Sequence, residues 1–103
     1  MAFVKVATLD DLESNPLIEV MVSGNPYALC KFDGAIHALN GLCPHQGGPL
    51  GQGELNGPMV TCPWHAFEFD CRTGKTDWDD SVETYPVKLE GDDILIDLPD
   101  TGA

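Results

Sequence analysis

Short stretches that alternate apolar and polar residues, or that are rich in β-branched residues, recur along the whole chain. They occupy residues 3–6, 18–22, 27–32, 35–39, 66–70, 83–90 and 94–98. Turn-forming residues separate them, and the clearest are residues 23–26 (SGNP) and the pair Asp33 and Gly34. Short strands joined by tight turns predict an all-β fold of small antiparallel sheets.

Within the stretch AFEFD, residues 66–70, the alternation predicts which side chains are buried. Phe67 and Phe69 lie on one face of the expected strand and should be buried, whereas Glu68 should face water. This strand follows directly after one of the polar motifs described below, so its inward face should lie near that motif.

Two other positions modify the strand pattern. Pro86 interrupts residues 83–90 and predicts a sheet edge or a bulge there, because proline has no N–H to donate. Residues 8–13 (TLDDLE) are the helix candidate, with Thr8 as N-cap and Asp11 at the capping-box position. That helix would have one or two turns.

Residues 43–65, CPHQGGPLGQGELNGPMVTCPWH, differ in kind from the strands around them. The interior is rich in glycine and also contains Pro49 and Pro58, a composition that cannot form a core helix or a long strand. We expect loops with a tight turn at Asn56 and Gly57, followed by a short strand at residues 59–61. A Cys/His pair lies at each end, as C-x-H and as C-x-x-H, so both pairs are expected at loop ends.

The charge of the chain limits its partners. Its 103 residues fit one domain, residues 1–103, and carry 17 acidic against 5 basic side chains, a net charge of -12. Nucleic acid binding depends largely on Lys and Arg that displace counterions, so nucleic acid and anionic membranes are not expected partners. The same charge could direct the protein to a basic face of another protein, or it could only keep the protein in solution.

Targeting signals and cysteine usage bear on the compartment. Residues 1–13 lack a basic region followed by an apolar run, and nowhere do about 18 apolar residues follow one another. The sequence therefore predicts a cytoplasmic protein without a membrane anchor. Four Cys could form disulfides in a secreted protein, but two of them lie beside His, and a reducing compartment favours metal ligation.

Two Cys and two His can hold different metals, and their spacing separates the choices. Zinc fingers usually place like ligands together, whereas each pair here is mixed, so zinc is disfavoured. A cluster held by four Cys would need Cys30 and Cys71, which leaves 12, 18 and 8 residues between successive Cys. These gaps match neither the bacterial nor the plant-type ferredoxin spacing. Cys30 and Cys71 are therefore interpreted as small buried residues.

The mixed pairing matches a [2Fe–2S] cluster in which two thiolates hold one iron and two imidazoles hold the other, the ligand pattern of Rieske centres. C-P-H at residues 43–45 and C-P-W-H at residues 62–65, followed by AFEFDCRTGK and YPVKLEGDDILIDL, resemble the soluble Rieske-type ferredoxins over nearly all of the chain. Because two motifs occur together at a fixed separation, the resemblance is far more specific than a single short motif would be.

This resemblance implies small antiparallel sheets with the cluster at the tip of a two-loop subdomain, residues 41–68. Cys43 and Cys62 would bind the buried iron of a single [2Fe–2S] cluster. His45 and His65 would bind the exposed iron, whose open side would be the electron port.

This chain differs from the high-potential Rieske proteins at several positions, and these differences predict a low reduction potential. Quinol-oxidising Rieske proteins have a disulfide at the positions of Gly48 and Trp64, and hydroxyl groups that donate to the cluster sulfurs at the positions of Phe67 and Phe69. This chain has neither device, although Pro49 matches the proline-bearing loop that shields the cluster. With fewer donors and an acidic surface, we expect a potential on the order of -150 mV.

The resemblance further implies a one-electron carrier that binds no organic substrate. It would accept electrons from a flavin-dependent reductase and deliver them to a terminal Rieske oxygenase or another redox protein, as a monomer when free. The alternative is a small electron-transfer subunit of a larger enzyme, similar to the small subunit of assimilatory nitrite reductase. A separate oxygenase is disfavoured, because only His37 remains beyond the four ligands, and it is interpreted as an ordinary strand residue.

Overall fold

Short antiparallel strands account for most of the described chain. The computed structural model describes residues 2–22, 24–42, 49–63, 68–76 and 81–98. The strands are β1 (Ala2–Thr8), β2 (Leu17–Val22), β3 (Asn25–Phe32), β4 (Ala35–Asn40), β5 (Glu54–Asn56), β6 (Met59–Thr61), β7 (Glu68–Asp70), β8 (Thr84–Tyr85), β9 (Val87–Glu90) and β10 (Asp93–Leu98). Helix α1 (Leu9–Ser14) and a single 3-10 turn (Leu50–Gln52) complete these elements.

The strands form three antiparallel sheets, which confirms the predicted fold class. Their orders are β2-β3-β4-β8, β1-β10-β9 and β5-β6-β7. The β3–β4 hairpin turns at Asp33 and Gly34, whose φ angles of 54° and 78° are both positive, as a type I′ turn requires. This turn places Phe32 opposite Ala35 and so fixes the register of the β3–β4 hairpin.

Strand β3 lies at the centre of the fold and is buried on both faces. Ala28 and Cys30 belong to a core shared with Cys62 and Phe69 of the β5-β6-β7 region. Alternate residues of the same strand, including Leu29, belong to a second core with helix α1 and strand β10. Because side chains alternate across a strand, one strand supports both cores, and the four-stranded sheet is the middle layer.

Helix α1 begins at Leu9, directly after the predicted N-cap, and ends one residue beyond the predicted segment. Thr8 precedes it, and the Thr8 N–H donates to the Asp11 carboxylate at 3.0 Å, so the expected capping contact is present. Leu12 is buried and attaches the helix to the second core. Among the described residues, no helix is long and apolar enough to cross a lipid bilayer.

The predicted strand at residues 83–90 is in fact two strands. Pro86 ends β8, which pairs with β4, and β9 begins immediately afterwards in a different sheet, where it pairs with β10. The Pro86 carbonyl accepts the Asp97 N–H at 3.0 Å. Since proline cannot donate to a ladder, the chain changes sheets at this residue instead of forming a bulge, and both short strands lie at sheet edges, as predicted.

Strand β5 lies in a region that the sequence predicted as loop, and that prediction was wrong. Glu54, Leu55 and Asn56 pair with β6 across the expected turn, where Gly57 has φ 58°. Three residues are too few for a recognisable alternation, and the pairing comes from the tight turn instead. In the next strand Glu68 is exposed and Phe69 is fully buried, as predicted, whereas Phe67 lies outside the described residues.

Leu29 and Leu89 give a matched test of this layering. Leu29 is fully buried, whereas Leu89 on the edge strand β9 is 50% exposed. We expect Leu29→Ala to lower the free energy of unfolding by about 2–5 kcal/mol, because it leaves a cavity between the middle sheet and its neighbours. Leu89→Ala should lower it by about 0.5 kcal/mol. Urea unfolding followed by circular dichroism measures both, and equal losses would contradict a core on this face of β3.

Candidate metal centre

The first of the two expected ligand loops is closed at its base by backbone pairing. Leu42 and Pro49 form an isolated antiparallel bridge, and the Leu50 N–H donates to the Gly41 carbonyl at 2.9 Å. The Asn40 side chain accepts the Leu42 N–H at 3.0 Å. Residues 43–48 lie outside the described residues, so this bridge defines where the loop that contains Cys43 and His45 begins and ends.

The second loop is closed by the β6–β7 hairpin. Thr61 pairs with Glu68 and Val60 with Phe69, so the ladder holds the two ends of residues 62–67 together. Cys62 follows β6 directly and is 1% exposed. By the alternation of the strand, Cys62 shares the inward face with Val60 and Phe69.

The bases of the two loops lie against each other. A Cβ atom at Gly53, just after the first loop and the 3-10 turn, would collide with the Thr61 carbonyl oxygen, and it would lie 3.3 Å from the Leu50 carbonyl oxygen. Only glycine allows this backbone approach without displacement. Leu50 and Cys62 also lie in one core cluster. The two ligand loops therefore leave the fold from one common base.

One of the four predicted ligands, Cys62, lies within the described residues. Its thiol forms no disulfide. Cys43, His45 and His65 lie outside the described residues, as do Gly48 and Trp64. Accordingly, the ranges that are described contain no group of three potential metal ligands.

Carboxylates flank the base of the second loop. Glu54 and Glu68 are the two cross-strand partners of Thr61, and both are exposed. Glu68 follows His65 by three residues. Glu54 lies opposite Thr61, the neighbour of Cys62, so both carboxylates add negative potential near the expected cluster. The local charge thus has the same sign as the net charge of the whole chain.

Cys30 and Cys71 are buried, as predicted, but the sequence did not show that they touch. Both are 0% exposed, and the Cys30 thiol donates a hydrogen bond to Cys71. This hydrogen bond raises the pKa of Cys30 and lowers that of Cys71, whereas burial raises both. The two residues are too far apart in the chain for a short motif to connect them. The packing of β3 against the turn after β7 brings them together.

The turn after β7 is held by an ion pair. Arg72 donates from Nε and from its terminal nitrogen to the Asp70 carboxylate, at 3.0 and 2.8 Å. The side-chain hydrogen bonds from Arg72 lower the pKa of Asp70. His37 is a strand residue, as the sequence predicted. It lies opposite Cys30 in strand β4 and lines a cavity of about 390 Å³ together with Cys71 and Arg72.

The described strands form small antiparallel sheets, and two adjoining loops each carry one Cys and one His. This arrangement fits an iron–sulfur protein better than a zinc finger. The buried Cys62 thiol and the glycine-lined base fit a cluster clamped between the loops, since a thiolate binds the inner iron of such a centre away from water. A cluster of this kind supplies one-electron chemistry.

Comparison with known proteins identifies the family. The model of the Rieske [2Fe-2S] domain matches residues 2–89, and the chain belongs to this family. Its cofactor is accordingly one [2Fe–2S] cluster.

Similar proteins cover the chain almost end to end. The ferredoxin component of the naphthalene 1,2-dioxygenase/salicylate 5-hydroxylase systems of Ralstonia sp is 33% identical, over 93% of this chain and 95% of its own length. The ferredoxin component of biphenyl 2,3-dioxygenase from Rhodococcus jostii is 33% identical, over 95% of this chain and 94% of its own. Among solved structures, the ferredoxin of carbazole 1,9a-dioxygenase from Nocardioides aromaticivorans IC177 superposes with a TM-score of 0.82 at 29% identity, covering 93% of this chain and 97% of that one.

The contact between the loop bases predicts that one methyl group added at Gly53 disturbs both stability and cluster binding. Gly53→Ala should lower the free energy of unfolding by about 1–3 kcal/mol and reduce the iron and sulfide content, because the new Cβ pushes the Thr61 strand away. Gly57→Asn is the control, since Gly57 has open space and a positive φ that Asn tolerates. Iron and sulfide assays with visible absorption measure the outcome. Full cluster content in Gly53→Ala would show that the close approach is dispensable.

Proposed function

We propose that this protein is a one-electron carrier whose [2Fe–2S] cluster is held by Cys43, His45, Cys62 and His65. The observation that carries the proposal is the common base of the two loops, where the buried Cys62 shares one core cluster with Leu50. The near end-to-end similarity to ferredoxin components of dioxygenase systems supports the same role. Residues 1–103 then act as a single domain, with residues 41–68 as its cluster-binding subdomain.

In this proposal the protein positions the cluster and shields its inner side from water. Phe69 and Leu50, both fully buried, share one core cluster with Cys62 and keep water from the base of the loops. Under this proposal His45 and His65 hold the outer iron, so their imidazoles would form the short path to a partner. No acid, base or nucleophile is needed, because no covalent bond to a substrate is made or broken.

The redox partners are inferred from the similar ferredoxin components and from the negative charge beside the loops. Proteins similar to this chain are components of oxygenase systems, so we infer an oxygenase as acceptor and a flavin-dependent reductase as donor. With Glu54 and Glu68 beside the loops, the docking face of each partner should be basic there. The carrier acts as a monomer in the cytoplasm under this proposal.

A measurement of the reduction potential tests whether the lack of hydroxyl donors near the cluster keeps the potential low. Phe69 is buried on the same face as Cys62 and carries no hydroxyl, and Glu54 and Glu68 oppose added negative charge. We expect a midpoint potential on the order of -150 mV by protein-film voltammetry. Glu54→Gln with Glu68→Gln should raise it, whereas Glu13→Gln on helix α1 should leave it unchanged. A wild-type value well above zero would show that another donor stabilises the reduced state.

The ligand set is tested by His45→Ala. Loss of one imidazole should remove the visible and EPR signature of the mixed-ligand cluster. His37→Ala is the matched control, because His37 lies on strand β4 and should leave both spectra intact. An unchanged spectrum in His45→Ala would remove His45 from the ligand set.

The carrier role is separated from the subunit role by what the protein binds in its native cells. A free carrier is reduced by a flavin reductase, is reoxidised by an oxygenase over many cycles, and purifies alone. Stable copurification with a sirohaem enzyme would instead establish the alternative, a small subunit resembling that of nitrite reductase. Stopped-flow reduction at increasing salt should slow if docking depends on the acidic face.

A further inference from the structure

Two buried thiols outside the ligand set lie in contact with each other. Cys30 is in the middle of β3 and Cys71 follows β7, and both thiols are free and without accessible surface. Both residues belong to one core cluster, and the Cys30 thiol donates to Cys71. Neither residue has a role in the proposed electron transfer.

The backbone holds both residues in place. Cys30 lies between Leu17 and His37 in the ladders of the middle sheet. The Cys71 N–H donates to the Pro58 carbonyl at 2.8 Å. Beside Cys71, the Arg72 guanidinium lies 5.6 Å from the centre of the Phe32 ring, which attaches the turn to the end of β3. The pair is thus fixed from both sides.

The surroundings make Cys71 the more reactive thiol. It accepts the hydrogen bond from Cys30 and lies beside the positive charge of Arg72, which together outweigh burial and the nearby Asp70 and lower its pKa. A cysteine with more thiolate character reacts faster with peroxides. Cys71 also borders the cavity of about 390 Å³ that it shares with His37, Arg72 and Tyr85, so a small oxidant would approach the pair from this side, although neither thiol has accessible surface.

We propose that Cys30 and Cys71 are a redox-active dithiol pair that a peroxide converts to an intramolecular disulfide. The Cys71 sulfur attacks hydrogen peroxide, the O–O bond breaks, and Cys71 becomes a sulfenic acid while one water is released. The Cys30 sulfur then attacks Cys71, the S–O bond breaks, and a second water leaves. In total, two thiols lose two electrons and two protons, and hydrogen peroxide is reduced to two waters.

The disulfide would enclose the cluster-binding part of the chain. Residues 30–71 contain all four predicted ligands, so the link would join both ends of the subdomain to the middle sheet. A crosslink restricts the unfolded chain, so the oxidised form should resist unfolding and retain its cluster longer. This inference stands without the proposed function, since it concerns two thiols that carry no electrons to a partner.

The protein with its cluster bound is the sample for the test. It is treated with a small molar excess of hydrogen peroxide, denatured, alkylated and cleaved after Lys, Arg and Glu. The sequence places the four Cys in four different peptides, residues 20–31, 32–54, 55–68 and 69–72, so each can be assigned. We expect residues 20–31 joined to residues 69–72, lighter by two hydrogen atoms and separated by a reducing agent, while Cys43 and Cys62 are alkylated.

The thermal unfolding midpoint provides a second measurement. It should rise on oxidation of the wild type and should not rise in Cys30→Ser with Cys71→Ser, which should keep full iron and sulfide content. Links that involve Cys43 or Cys62, alkylation of all four Cys after peroxide, or bleaching of the cluster before any link forms would each overturn the proposal. The wild-type peptide map decides the question even if the double variant does not fold.

Discussion

One backbone contact, the approach of Gly53 to the carbonyl of Thr61, brings together the bases of the two predicted ligand loops. A cluster held by two loops requires that both loops begin from fixed and neighbouring points, because a thiolate and an imidazole from each must meet two irons at once. Gly53 brings the end of the first loop onto the strand that precedes the second. The hairpin β6–β7 and the Leu42–Pro49 bridge then fix the other end of each loop.

Behind this base lies a strand that belongs to two cores. Because β3 is buried on both faces, Cys30 and Ala28 support the sheet below the loops, while Leu29 supports the opposite layer with α1 and β10. A substitution that disturbs the packing of one core therefore also affects β3, the strand that supports the other core. The small size of the protein makes this sharing necessary, since a chain of 103 residues cannot build two independent hydrophobic interiors.

The sequence predicted the features that depend on local chemistry. The turn at Asp33 and Gly34, the N-cap at Thr8 and the burial of Phe69 each follow from the preferences of a few adjacent residues. The mixed Cys/His spacing likewise predicted the cofactor that the family confirms. Features that depend on partners distant in the chain were missed, namely the change of sheet at Pro86 and the contact between Cys30 and Cys71. Strand β5 was missed for a local reason, since three residues are too few to show an alternation.

The change of sheet at Pro86 has a mechanical consequence. With one residue between β8 and β9, and with the Pro86 carbonyl bonded to Asp97 of β10, the chain has no slack with which the two sheets could slide apart. The frame behind the loops is therefore stiff. A stiff frame keeps atoms nearly still when charge arrives, so little nuclear rearrangement accompanies each electron, and an exchange with a partner can be fast even when its driving force is small.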